Sequence, residues 1–214
     1  MASFRPFFVA AIAGLVIASA ATGASAAAVR VATSCPVRTI GAVSNDKSGQ
    51  PLVCTRVTKT KAQWKLPPLG SLLRPIPLGQ ASEAGPTDHR FSVHVTRVAL
   101  DATAEVTASD AYATPPAPGS QYVRIEVAAA FRGPAASGST EHVWSARDGA
   151  GASYTASQGC GGGFGTDFDV AALVKVGESI TGAQCFEVPS ASVASLLMRV
   201  DGYGSRPDVY FAVR

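Results

Sequence analysis

From Phe91 the side chains alternate, with Phe91, Val93 and Val95 apolar and Ser92, His94 and Thr96 polar between them. The same period runs on from Tyr122, where Val123, Ile125, Val127, Ala129 and Phe131 share one face. A period of two belongs to a strand with one buried side. His142 to Ala146, Val170 to Val176, Ser179 to Val188, Ser195 to Val200 and Val209 to Val213 are further strand candidates. Between them stand turn residues: Pro115-Pro116-Ala117-Pro118-Gly119, Gly133-Pro134, Asp148-Gly149, Val176-Gly177-Glu178 and Asp201-Gly202. Many short strands with such punctuation, and no long amphipathic helix, predict an all-β domain over 80–214, a sandwich or a barrel. Ser190 to Ala194 predicts one helical turn, and no internal repeat is present.

Upstream the pattern is weaker. Leu52 to Thr58 has strand character, with alternation at Val53, Thr55 and Val57. Turn signals precede it at Ser44-Asn45-Asp46 and Lys47-Ser48-Gly49. Two or three short strands over 27–66 are expected, with Trp64 lying over a disulfide. Next, 67–79 reads as a linker, because Pro67, Pro68, Pro75 and Pro77 preclude a regular helix or central strand. Pro75-Ile76-Pro77-Leu78-Gly79 has the alternative reading of an edge segment of the following domain.

The N-terminus follows another pattern. After Arg5 comes an uncharged apolar run to Ile17, then small residues ending in Ala24-Ser25-Ala26. This is the form of a secretory signal peptide over 1–26, cleaved before Ala27. It implies a secreted or cell-surface protein whose mature chain has no membrane span. Export in turn implies oxidised cysteines. Cys35, Cys54, Cys160 and Cys185 allow three connectivities; their order along the chain suggests the local pairs Cys35–Cys54 and Cys160–Cys185.

Composition adds one exclusion and one asymmetry. With 47% hydrophobic residues among 214, disorder along the whole chain is excluded. Arg30, Arg38, Lys47, Arg56, Lys59, Lys61, Lys65 and Arg74 face only Asp46 in 27–79, whereas the remainder is net acidic. A basic head therefore precedes an acidic body.

Several stretches occur in an order that resembles a known family. They are Pro75-Ile76-Pro77-Leu78-Gly79, Phe91 to Val95, Pro115 to Ile125, Cys160, Gly177 to Gly182, Cys185-Phe186-Glu187-Val188-Pro189 and Val209-Tyr210-Phe211. The chain from about Arg74 to Arg214 is similar to a secreted bacterial domain-of-unknown-function family with a telokin-like, immunoglobulin-like fold, which includes a mycobacterial immunogenic extracellular protein. The resemblance implies an immunoglobulin-like antiparallel β-sandwich and brings no catalytic residues. Gly41, Gly49, Leu52, Cys54 and Trp64 resemble a small Cys-to-Trp module of exported actinobacterial proteins.

The stretch Ser157 to Asp169 carries Cys160, five glycines and two carboxylates. A phosphate cradle would need a following helix and a Lys-Ser/Thr, but Gly165 is followed by Thr166-Asp167-Phe168-Asp169. Cys160 lacks a neighbouring histidine base and reads as a disulfide partner. Asp167 and Asp169 offer two hard ligands, fewer than calcium requires. His89, His94 and His142 show no zinc spacing. No cofactor is expected.

The function expected is an exported, non-enzymatic surface or secreted protein, a binding module for an extracellular protein or an anionic envelope polymer. Nucleic acid is not expected as a partner. Candidate contacts are Phe164 and Phe168 on the glycine loop, and Lys59, Lys61, Trp64 and Lys65 on the head. Alternatives are a hydrolase whose triad assembles from distant loops, and a calcium-binding surface protein.

Overall fold

The computed structural model describes residues 29–85, 90–109, 111–133, 144–160, 175–201 and 207–214. The structure is all-β apart from one short helix and three-residue 3₁₀ turns, with twelve strands in three antiparallel sheets among the described residues.

The head forms one sheet in the order β1-β4-β3-β2, from β1 (Ser34–Cys35), β2 (Val43–Asn45), β3 (Pro51–Arg56) and β4 (Ala62–Lys65). The two or three strands expected there are four, because the two-residue β1 is too short to show periodicity and forms by pairing with Ala62 and Gln63. Between β2 and β3 the Asp46 carboxylate accepts the backbone N–H groups of Ser48 and Gln50 at 2.8 and 2.9 Å. This turn chemistry fixes the hairpin. The Cys35–Cys54 disulfide forms, with Cα atoms 6.1 Å apart. Cys35, Cys54 and Ala62 are the buried cluster, with Val37 and Trp64 packed against it. Trp64 thus lies over the disulfide, as the sequence predicts.

The body is a sandwich of two sheets. The first, in the order β10-β7-β6-β5, contains β5 (Ala81–Ala84), β6 (Phe91–Ala99), β7 (Ser120–Phe131) and β10 (Ser179–Pro189). The second, β12-β11-β8-β9, contains β8 (Trp144–Arg147), β9 (Ser153–Thr155), β11 (Leu197–Val200) and β12 (Val209–Ala212). Val123, Ile125, Val127, Ala129 and Phe131 of β7 face a single core shared with Trp144, Ala146, Met198, Val200 and Phe211 of the second sheet. A β-bulge between Val95 and Arg97 shifts the register, so that Val98 instead of Arg97 turns inward opposite Ile125.

Both open sides of the sandwich are bridged. After β9, Ala156 pairs with Phe186 of β10. On the other side Ile76 pairs in parallel with Phe211 of β12, and Gly79 donates to the Val95 carbonyl of β6. Ile76 is 1% exposed and belongs to the core. The C-terminal half of the proline-rich segment is therefore an edge segment of the sandwich, the alternative that its sequence allowed. Pro75 and Pro77 fit there because an edge position needs no donor on its free side.

One strand expectation is corrected, and one short helix is additional to the elements expected. Lys175 and Val176, the described end of the strand expected at Val170 to Val176, lie in a turn closed by Glu178 N–H donating to Lys175. A seven-residue helix, α1 (Thr103–Ser109), also appears. Asp101 accepts the Thr103 N–H at 3.1 Å at its start. Val106 buries against Tyr122 and the Cys160–Cys185 pair on the outer face of β7 and β10. No described helix is long and apolar enough to cross a membrane.

Candidate binding surfaces

The head's cations stand apart from its core. In β4, Ala62 and Trp64 point to the disulfide side, and alternation turns Gln63 and Lys65 to the opposite face. Lys59 and Lys61 lie on the hairpin between β3 and β4, whose Val57 and Thr58 N–H groups donate to the Lys61 carbonyl. Of the four head residues read as contacts, Lys59, Lys61 and Lys65 are exposed, and Trp64 packs on the disulfide, on the face opposite Lys65.

Electrostatics separate head from body further. Arg30, Arg38, Lys47, Arg56, Lys59, Lys61 and Lys65 are all exposed. Among the described residues none pairs with a carboxylate. Asp46, the head's one acid, is occupied by its own turn. The Ser48 hydroxyl and the backbone N–H groups hold its pKa below the ordinary carboxylate value. In the body, Arg90 pairs with Glu83, Arg97 with Glu126, Arg124 with Glu105 and Glu126, and Arg199 with Asp208 and Asp201.

The proline-rich segment builds a second surface. Gly70 accepts the Tyr210 N–H at 2.7 Å, and Ile76 donates to the Tyr210 carbonyl at 2.8 Å. Between these anchors the chain reverses at Ser71–Arg74, with Arg74 N–H donating to Ser71 at 3.0 Å. Its central residues, Leu72 and Leu73, are 41% and 40% exposed. Across from them, Asp148 to Gly151 turns β8 into β9. Asp148 accepts the Ala152 N–H at 2.9 Å and the Tyr154 hydroxyl at 2.8 Å. Hydrogen bonds from Ser192, then Tyr154, then backbone groups lower its pKa. Gly149 donates to the Ser195 hydroxyl at 2.9 Å; a Cβ on Gly149 would meet Ser195 at the same 2.9 Å, so this close approach requires glycine.

The two turns flank an open groove of about 470 Å³. Leu72, Leu73 and Pro75 form one wall, 148–151 and Ser195 the other, and the cross-strand neighbours Arg147 and Leu197 lie between them. Ser195 and Asp148 are the hydroxyl and carboxylate of this groove, and both are committed to holding its turns. His94, the one described histidine, lies on the first sheet between Ala81 and Ala128.

The remaining sequence candidates divide. Cys160 and Cys185 form the second disulfide, with Cα atoms 6.3 Å apart. It fixes the start of the glycine stretch, where a Cβ on Gly159 would collide with the Tyr122 hydroxyl. Phe164, Phe168, Asp167 and Asp169, together with His89 and His142, lie outside the described residues. Among the described residues no three His, Cys, Asp or Glu side chains converge to hold a metal. Sequence reasoning missed the groove. Its leucines sit in a proline-rich stretch without periodicity, and their exposure depends on the pairing of that stretch with β12.

No protein-family model and no curated protein matches the chain. Among solved structures, a conserved hypothetical protein from Bacillus anthracis is similar at 10% sequence identity, covering 62% of this chain and 98% of its own, with a TM-score of 0.36.

Proposed function

We propose that the chain is an exported, non-enzymatic binding module that holds an anionic polymer of the cell envelope through its basic head. One observation carries this reading: seven exposed head cations have no carboxylate partner among the described residues, while the body pairs four of its arginines. No head lysine forms an ion pair with a body carboxylate among the described residues. Unpaired cations on a small rigid sheet leave a positive field free for an external anion. The signal-like N-terminus and the two disulfides support export. The immunoglobulin-like reading of the sandwich belongs to the same proposal. In it, the body is a stable carrier and the head is the contact.

Co-sedimentation of the mature chain with anionic cell-wall polymer tests the proposal. Binding should fall steeply between low salt and about 0.5 M, where the Debye length drops to a few ångströms. The Lys59→Gln/Lys61→Gln/Lys65→Gln variant should be recovered at background. Equal recovery of variant and wild type would refute the proposal.

A further inference from the structure

Of the sandwich arginines, Arg147 differs from the four in ion pairs. Its Nη1 donates to the Tyr210 hydroxyl at 3.3 Å. Its Nε is buried without a hydrogen-bond partner, a feature shared with the ion-paired Arg90, so what sets Arg147 apart is the lack of a carboxylate. No carboxylate among the described residues pairs with it. Asp148, its neighbour in sequence, already accepts the Ala152 N–H and the Tyr154 hydroxyl. A partly buried guanidinium usually finds an anion. This one lies between two walls of the groove, beside Leu197.

The Leu72–Leu73 turn supplies a second, independent observation. The central positions of tight turns favour Gly, Pro, Asn, Asp and Ser, for reasons of backbone geometry and hydrogen bonding. Here two leucines occupy them and remain about two-fifths exposed. They contribute little to the core, yet the turn is anchored to β12 on both sides through Gly70 and Ile76. A Cβ on Gly70 would come within 3.2 Å of the Val209 side chain, which shows how closely the turn is seated. The leucines are therefore held in place facing a groove, at some cost in exposed apolar surface.

We infer that this groove binds a small amphiphile, with an apolar chain along Leu72, Leu73, Pro75 and Leu197 and an anionic head on Arg147. The groove volume of about 470 Å³ lies in the range of small-molecule sites, roughly 300–1,000 Å³. A neutral apolar ligand would cover the guanidinium without compensating it, whereas the Asp148 carboxylate of the same groove already accepts the Ala152 N–H and the Tyr154 hydroxyl. An anionic head satisfies the arginine, and a short hydrocarbon chain covers the leucines. The site is separate from the lysines of the head, so it stands or falls independently of polymer binding.

The test uses decanoate, decanol and acetate as probes in calorimetric titrations of the mature chain. Decanoate should bind saturably at one per chain, and acetate should not bind detectably. Arg147→Gln should weaken decanoate at least tenfold while changing decanol less than threefold. Leu72→Ser/Leu73→Ser, a change at exposed positions, should weaken both decanoate and decanol. Unchanged thermal midpoints would show that the variants are folded; an Arg147→Gln chain that melts early is replaced by Arg147→Met. Absence of saturable decanoate binding by the wild type, or wild-type decanoate affinity in the folded arginine variant, would overturn the inference.

Discussion

In the sandwich, Arg124 is held between Glu105 at 2.9 Å and Glu126 at 2.8 Å, and Arg199 donates to Asp208 at 2.7 Å. In the head, Lys59, Lys61 and Lys65 are exposed and pair with no carboxylate among the described residues. The two regions also bury apolar surface differently. The sandwich shares one core across two sheets, whereas the head encloses Cys35, Cys54 and Ala62 beneath Trp64, with Leu52 of β3 also buried. A sheet with so small a core depends on its disulfide. A sandwich with a continuous core can do without any one staple. Surface charge that is internally matched suits a carrier, and unmatched charge on a stapled sheet suits a contact.

This comparison can be broken most strongly at the core. Phe186→Ala should destabilise the sandwich by about 3–5 kcal/mol, because the ring is fully buried between the sheets. Amide exchange over 34–65 should stay nearly unchanged. Equal loss of protection in both regions would mean that head and body are one cooperative unit.

Replacing Cys35 and Cys54 by alanine should cost the head about 2–4 kcal/mol and abolish its amide protection. The same change at Cys160 and Cys185 should lower the sandwich melting temperature while leaving its strands protected. If the head stayed ordered without its disulfide, the claim that its core is insufficient would fail.

A smaller effect belongs to Gly159. Alanine there forces a Cβ against the Tyr122 hydroxyl, which itself donates to the Thr114 carbonyl at 2.8 Å. Overpacking of this kind costs about 1–3 kcal/mol, measurable by urea unfolding. Gly177, with open space around its Cβ position but a φ of +92°, gives a control in which only backbone strain acts.

Asp148 sharpens the comparison by pH. Its folded-state pKa lies below its unfolded value, so the folded form binds the proton more weakly. The resulting stability is present above about pH 4 and is lost as the pH falls through the depressed native value. Asp148→Asn should therefore be less stable at neutral pH and show a flatter acid limb. Parallel acid limbs in urea melts from neutral pH downward would contradict the assignment. The smallest stability effect is expected for the triple lysine-to-glutamine variant of the head. Exposed substitutions of this type shift stability by less than about 0.5 kcal/mol.

The sandwich was legible where burial imposed periodicity. The alternation from Val123 to Phe131 matched β7 because every second residue packs in the core, and the helical turn expected at Ser190 to Ala194 corresponds to a 3₁₀ turn at Val193–Ser195. The short elements were not legible. β1, β9 and α1 are stabilised by what they pair or pack with, and their own patterns are too brief to carry a period. The candidate surfaces followed the same rule. The head's charge could be counted from composition, but the separation of Trp64 from Lys65 required the strand's facing. The groove joins residues near 72 with residues near 148 and 197. Such a long-range juxtaposition leaves no local signal.

The most direct measurement of the central claim is a map of backbone amide chemical shifts on adding anionic cell-wall polymer to the mature chain. The shifts should concentrate between Arg30 and Lys65, centred on the Lys59–Lys65 hairpin, and disappear at high salt. Shifts confined to the sandwich, or none in the head at saturating polymer, would contradict the account.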